Sequence, residues 1–311
     1  MSGASVRLSR RSWLAMLAAA SCSSRQPTAT PEPKAFRFRL AVCNETFQHA
    51  SFVEGCRLAR ETGYSGLEIA PWTLSDDPAT VSAETRAECR QAMADEGLTC
   101  VGLHSLLTAP DGQLHITTPD DSLRNRSWDY FRQLIDLCSD LGGDKLMILG
   151  SGKQRGTVAG SSVDDALKRL VDGLASVAPH AESRGVTILP ETLAPHLCDV
   201  MTSMDETMEI VRQVDSPAVK TMFDVHNAVA EELPHDQIIK KYGLDIKHVH
   251  INEMDGRHPG TGDYDFTVPL KVLKDLHYQG WLSLEVFKFE PSGEQLARES
   301  AQFLRAIEGT L

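Results

Sequence analysis

Between residues 38 and 307 a short β-prone run and a longer amphipathic stretch alternate eight times. The runs cover 38–43, 66–69, 99–103, 145–149, 186–190, 219–223, 246–251 and 281–286, and each is short enough to be a strand. The stretches at 49–62, 83–96, 125–141, 163–183, 204–214, 235–242, 269–276 and 293–307 read as helices. Asp205 and Glu206 sit in the first turn of one, where they complement the helix dipole. Gly63, Gly97, Gly142, Gly185 and Gly243 follow helix ends, where a left-handed residue is wanted. Eight consecutive units make the sheet parallel, because parallel neighbours need helical crossovers. Eight units over ~250 residues match a closed (β/α)8 TIM barrel in the α/β class. The rival is an open doubly wound sheet, whose nucleotide-binding form carries a glycine-rich turn after its first strand. Here that turn reads Cys43-Asn44-Glu45-Thr46-Phe47 and has no glycine.

In such a barrel the active site lies at the C-terminal ends of the strands. The last four runs end in Pro190-Glu191, Phe223-Asp224, Val249-His250 and Leu284-Glu285. Glu191, Asp224, His250 and Glu285 are each separated by about 30 residues, the length of one βα unit. Neighbouring strands lie ~4.8 Å apart, so these side chains can crowd around one point. Three carboxylates at that range repel one another unless a cation sits among them. Three oxygen donors and one imidazole suit a hard-to-borderline divalent ion. Mn²⁺ is favoured, with Mg²⁺, Co²⁺ and Zn²⁺ as alternatives.

These residues also carry a family likeness. Pro190-Glu191, Phe223-Asp224-Val225-His226-Asn227, His248-Val249-His250-Ile251-Asn252-Glu253 and Ser283-Leu284-Glu285-Val286 resemble the xylose-isomerase-like TIM-barrel superfamily. Pro259-Gly260-Thr261-Gly262-Asp263-Tyr264-Asp265-Phe266 is similar to its PGxGxxDF segment. The resemblance spans roughly residues 37–308 and points to the ketose 3-epimerase-like members. It implies a metal site made by Glu191, Asp224, His250 and Glu285, with Glu191 and Glu285 also acting as acid and base. A metal on a substrate carbonyl and hydroxyl acidifies the adjacent C–H. Two glutamates can then remove and return a proton through an enediolate, inverting the carbon. The same resemblance puts Glu68, His104, His226 and Arg257 against the substrate. His226 lies two residues past Asp224, whereas relatives place the contacting histidine three past. Glu253 is expected to support its loop or the metal site. His248 is read as structural and pointing away from the mouth. Phe47 and Trp72 could shield a sugar face, and the segment 105–122 could be a lid or a static loop.

The implied activity is a metal-dependent sugar isomerase or epimerase acting on an unphosphorylated sugar or derivative. A lyase or dehydratase on a keto sugar or keto glycoside would use the same C–H acidification and expel a leaving group. A tethered sugar-binding protein without turnover is the non-enzymatic alternative. The net charge of −12 repels phosphate backbones, which argues against a nucleic-acid partner and against an apurinic endonuclease. An oligomer is compatible with the sequence.

The first residues differ from the rest. Ser9-Arg10-Arg11-Ser12-Trp13-Leu14 resembles a twin-arginine export signal before a short apolar run. Ala19-Ala20-Ser21-Cys22 is similar to a lipoprotein cleavage box, making a lipidated Cys22 a candidate membrane anchor. Residues 1–22 are therefore expected to be a signal, 23–36 a flexible linker and 37–311 the barrel, in a periplasmic or cell-envelope protein. The apolar run is shorter than the ~20 residues of a transmembrane helix. Seven cysteines form no CxxC pair and read as buried free thiols.

Overall fold

A computed structural model describes residues 36–311. The export signal, Cys22 and all of the linker but its last residue lie outside the described residues. The eight strands are β1 (Arg39–Cys43), β2 (Gly66–Ile69), β3 (Thr99–Leu103), β4 (Leu146–Leu149), β5 (Thr187–Pro190), β6 (Thr221–Asp224), β7 (Ile246–Ile251) and β8 (Trp281–Leu284). The helices are α1 (Phe52–Thr62), α2 (Ala83–Asp95), α3 (Asp121–Leu141), α4 (Val163–Arg184), α5 (Met204–Val214), α6 (His235–Tyr242), α7 (Thr267–Asp275) and α8 (Gly293–Glu308).

All strands are parallel, in the order β5-β4-β3-β2-β1-β8-β7-β6. A bridge between Ile188 and Val219 joins the two ends. There the Ile188 N–H donates to Ala218 at 2.8 Å and the Lys220 N–H to Ile188 at 3.0 Å, so the sheet closes. Ala41, Val101, Leu146, Ile148, Leu189, Met222 and Trp281 fill the barrel interior. A larger apolar layer lies between strands and helices. Trp281 opens β8 at the N-terminal end of the barrel. Its indole donates to Asp144 at 2.7 Å, and Arg39 lies over its ring at 3.8 Å from the centroid.

Local chemistry shifted several helix starts. Residues 44–47 form a 3₁₀ turn, and Ser51 then caps α1 by accepting from the Glu54 N–H. Asp120 accepts from the N–H groups of Ser122 and Leu123, which starts α3 ahead of the expected residue 125. The segment before it packs against the core. Leu106, Leu107, Leu114 and Ile116 are buried, and the Trp128 indole donates to the Ile116 carbonyl at 3.1 Å. Gly243 is right-handed, unlike the other four helix-end glycines. A Cβ there would meet Leu276 and the Ile239 carbonyl at close range, so packing requires this glycine. The six described cysteines are free and buried, as expected. Among the described residues no helix is long and apolar enough to cross a membrane.

Candidate metal centre

Four adjacent strands bring the candidate ligands to one end of the barrel. Glu191 follows Pro190 of β5, Asp224 ends β6, His250 lies in β7 and Glu285 follows Leu284 of β8. Asp224 pairs in register with His250, and His250 with Ser283. All four side chains are buried. One ligand atom from each lies within 4.8 Å of the other three. His250 Nδ1 is 3.0 Å from Glu285 Oε2, 3.4 Å from Asp224 Oδ2 and 3.6 Å from Glu191 Oε1. That nitrogen nevertheless has no well-formed hydrogen bond among the described residues. Gly150, just past β4, makes room for the cluster, because a Cβ there would overlap Oε2 of Glu191.

The electrostatics follow from burying these groups together. Burial pushes the Glu285 carboxyl up to about 7, with Glu191 and Asp224 adding to the rise and His250 opposing it. Burial also works against ionised Asp224, but His250 and the Asn227 N–H hold its carboxyl below the usual range. Burial disfavours a charged His250, yet Glu285 and Glu68 hold its imidazole well above the usual value. Three carboxylates are thus crowded around a single imidazole. A convergent set of three oxygens and one nitrogen, with the nitrogen unsatisfied, fits a divalent cation.

Two asparagines support this cluster, and sequence reasoning gave them no role. The Asn227 N–H donates to Asp224 at 2.7 Å and its side chain to Glu191 at 3.3 Å. The Asn252 side chain donates to Asp224 at 3.3 Å and accepts from the His226 N–H at 2.9 Å. Both lie inside the FDVHN and HVHINE segments, so their position in a motif was the available signal.

The four expected substrate residues are dispersed. Glu68 is fully buried behind His250, with Oε1 at 3.0 Å from His250 Nε2. It also lies 2.8 Å from His248 Nε2 and 3.3 Å from His104 Nδ1. His104 is buried and its Nε2 donates to Glu45 at 2.7 Å. Burial disfavours its charged form, but Glu45 and then Glu68 raise the imidazole to about 9. Glu45 escaped notice in the sequence, where it was simply a charge two residues past β1. His226 is half-buried, donates from Nδ1 to the Met254 carbonyl at 2.8 Å and lies against Phe287. Arg257 stays on the rim, paired with Asp255 at 2.7 Å, outside the buried cluster.

His248 does not point away. Residues i and i+2 of a strand share a face, and the His248 and His250 rings are 5.0 Å apart inside the barrel. Glu253 holds the following loop by accepting from the N–H groups of Gly260 at 2.9 Å and Tyr264 at 3.4 Å. Phe47 and Trp72 line a cavity of ≈ 370 Å³ at the β1–β2 edge, together with Asn44, Thr73 and Asp76.

The profile of the xylose isomerase-like TIM barrel family matches residues 56–307. The chain is similar to fructoselysine 3-epimerase of Shigella flexneri, 23% identical over 194 residues, or 60% of this chain and 69% of that one. It is 27% identical to L-ribulose 3-epimerase of Mesorhizobium japonicum over 243 residues, 78% of this chain and 77% of that one. The solved structure of D-psicose 3-epimerase with D-tagatose from Clostridium cellulolyticum H10 shares the fold, with a TM-score of 0.76 at 19% identity. It covers 87% of this chain and 99% of that one.

Proposed function

The chain belongs to the xylose isomerase-like TIM barrel family, and from that premise we propose that it is a metal-dependent sugar epimerase acting on a ketose or a ketose derivative. The relatives named above, all sugar 3-epimerases, support a sugar substrate. The observation that carries the reading is the placement of Glu191 and Glu285. They end the outer strands, β5 and β8, of the four-strand arc, with Asp224 and His250 between them.

Glu191, Asp224, His250 and Glu285 would hold one divalent cation, with Mn²⁺ the favoured ion. When bound, such an ion supplies Lewis-acid polarisation of a substrate carbonyl and lowers the acidity barrier of the neighbouring C–H. Asp224 and His250 are anchoring ligands, and the amides of Asn227 and Asn252 fix the carboxylate orientation. Glu191 and Glu285 approach the centre from its two sides. One removes the proton from the carbon beside the carbonyl and the other returns it on the opposite face, inverting that carbon. In the cation-free protein Asp224 is held below the usual carboxylate range, whereas burial raises Glu285 to about 7, so the two carboxyls are in different environments, as their different roles require.

The test is proton exchange. Wild-type protein loaded with Mn²⁺ is incubated with a panel of ketoses in deuterated water and followed by NMR. The expected result is deuterium incorporation at one carbon with an unchanged molecular formula. Glu285→Gln should slow exchange by at least ~10²-fold. Full exchange in that variant overturns the acid/base assignment. Loss of a fragment from the sugar would identify elimination, the chemistry of a lyase.

A further inference from the structure

We infer that Glu68 is a positioning residue that sets which nitrogen of His250 meets the cation. The inference rests on the metal-centre reading above. Glu68 has no exposed surface, so it cannot touch a substrate without rearrangement. It lies in β2, across the barrel interior from β7, and its carboxylate meets the far side of the His250 ring. Nε2 is 3.0 Å from Glu68 Oε1, while Nδ1 faces Glu285, Asp224 and Glu191.

A neutral imidazole carries one N–H, and its place is decided by what each nitrogen faces. With the proton on Nε2, His250 donates to Glu68 and turns the Nδ1 lone pair toward the three carboxylates. With the proton on Nδ1, the Nε2 lone pair would face the Glu68 carboxylate and an N–H would point at the cation. Both contacts of that second arrangement are repulsive. A carboxylate at position 68 therefore admits only the ligating tautomer.

Two further imidazoles lie close to this carboxylate without a well-aligned hydrogen bond. Oε2 lies 2.8 Å from His248 Nε2, and Oε1 lies 3.3 Å from His104 Nδ1. His104 in turn is tied to Glu45 at 2.7 Å. Three imidazoles from β7 and the end of β3 thus surround one buried carboxylate. Among the described residues the well-formed side-chain hydrogen bond of Glu68 is the one to His250 Nε2. The chain Glu45–His104–Glu68–His250 runs from the β1 rim to the ligand cluster without an exposed link.

The experiment is a Mn²⁺ titration of purified full-length wild type and Glu68→Gln against a competing fluorescent chelator, with melting temperatures of both metal-free proteins. Gln keeps the shape of Glu but its amide can donate as well as accept, so the tautomer is no longer imposed. The expected result is a Kd weakened ~10–100-fold with little change in metal-free melting temperature. If Glu68→Gln does not fold, Glu68→Asp serves instead. It keeps the charge but withdraws it from Nε2, and it should weaken binding too. A folded variant with wild-type Kd overturns the inference, even if its metal-free form melts earlier. Failure of the wild type to bind Mn²⁺ or any other divalent ion would instead sink the metal-centre reading on which the inference depends.

Discussion

Glu285 and His250 both hold protons in the cation-free protein more firmly than they would in an unfolded chain. Groups raised in this way stabilise the fold in full below their unfolded values, and that contribution is lost as pH climbs through the folded ones. For Glu285 the loss begins near the ordinary carboxylate range and is complete above about 7. His250 extends it upward. A cation held by the proposed ligands would displace these protons, so its affinity should rise with pH. The Mn²⁺ Kd is expected to tighten by up to about tenfold per pH unit, for each proton displaced, between roughly pH 5.5 and 7. A Kd that stays flat over this interval would mean that no proton leaves on binding. The four candidate ligands were legible in the sequence because each ends a strand run, and strand ends of this fold meet at one mouth. Glu45, Asn227 and Asn252 were not, because their roles depend on partners from other units: His104, Glu191 and Asp224. Glu68 was legible as a charge at the end of β2, but not as a residue behind His250.

At the scale of the element, hydrophobic period located all sixteen strands and helices, while side-chain caps placed their ends. Ser162 shows why the caps matter. Its hydroxyl accepts from the Asp165 N–H at 3.1 Å, and Asp165 accepts from the Ser162 N–H at 3.4 Å. This reciprocal pair satisfies backbone donors that the first turn of α4 leaves free. Ser162→Ala should cost about 1 kcal/mol, read as a melting temperature lower by a few degrees with an unchanged Mn²⁺ Kd. An unaltered melting point would show that α4 starts just as well without the cap. The same chemistry explains the early start of α3. Asp120 is a strong cap, but nothing apolar repeats between it and Asn125, so periodicity alone begins the helix too late.

The whole barrel depends on its closed end as much as on its open one. Trp281, Arg39 and Asp144 join β8, β1 and the residues before β4 at the N-terminal face, where the indole fills the interior. Trp281→Ala removes a buried aromatic and leaves the Asp144 carboxylate with Arg39 as its remaining partner. It should cost roughly 3–5 kcal/mol, measured as loss of stability to denaturant. The folded fraction should bind Mn²⁺ normally, because the ligands sit at the opposite face. A weakened Kd in folded protein would instead reveal coupling along the barrel axis. The sequence by itself determined the barrel and the four converging candidate ligands, since each follows from local period and chain order. Only the tertiary structure decided that Glu68 backs His250, that His248 faces inward and that Arg257 stays with Asp255. The reason is physical. Period and spacing say which face a residue occupies, but the partner that holds it comes from another unit of the barrel, and only closure of the sheet brings the two within bonding distance.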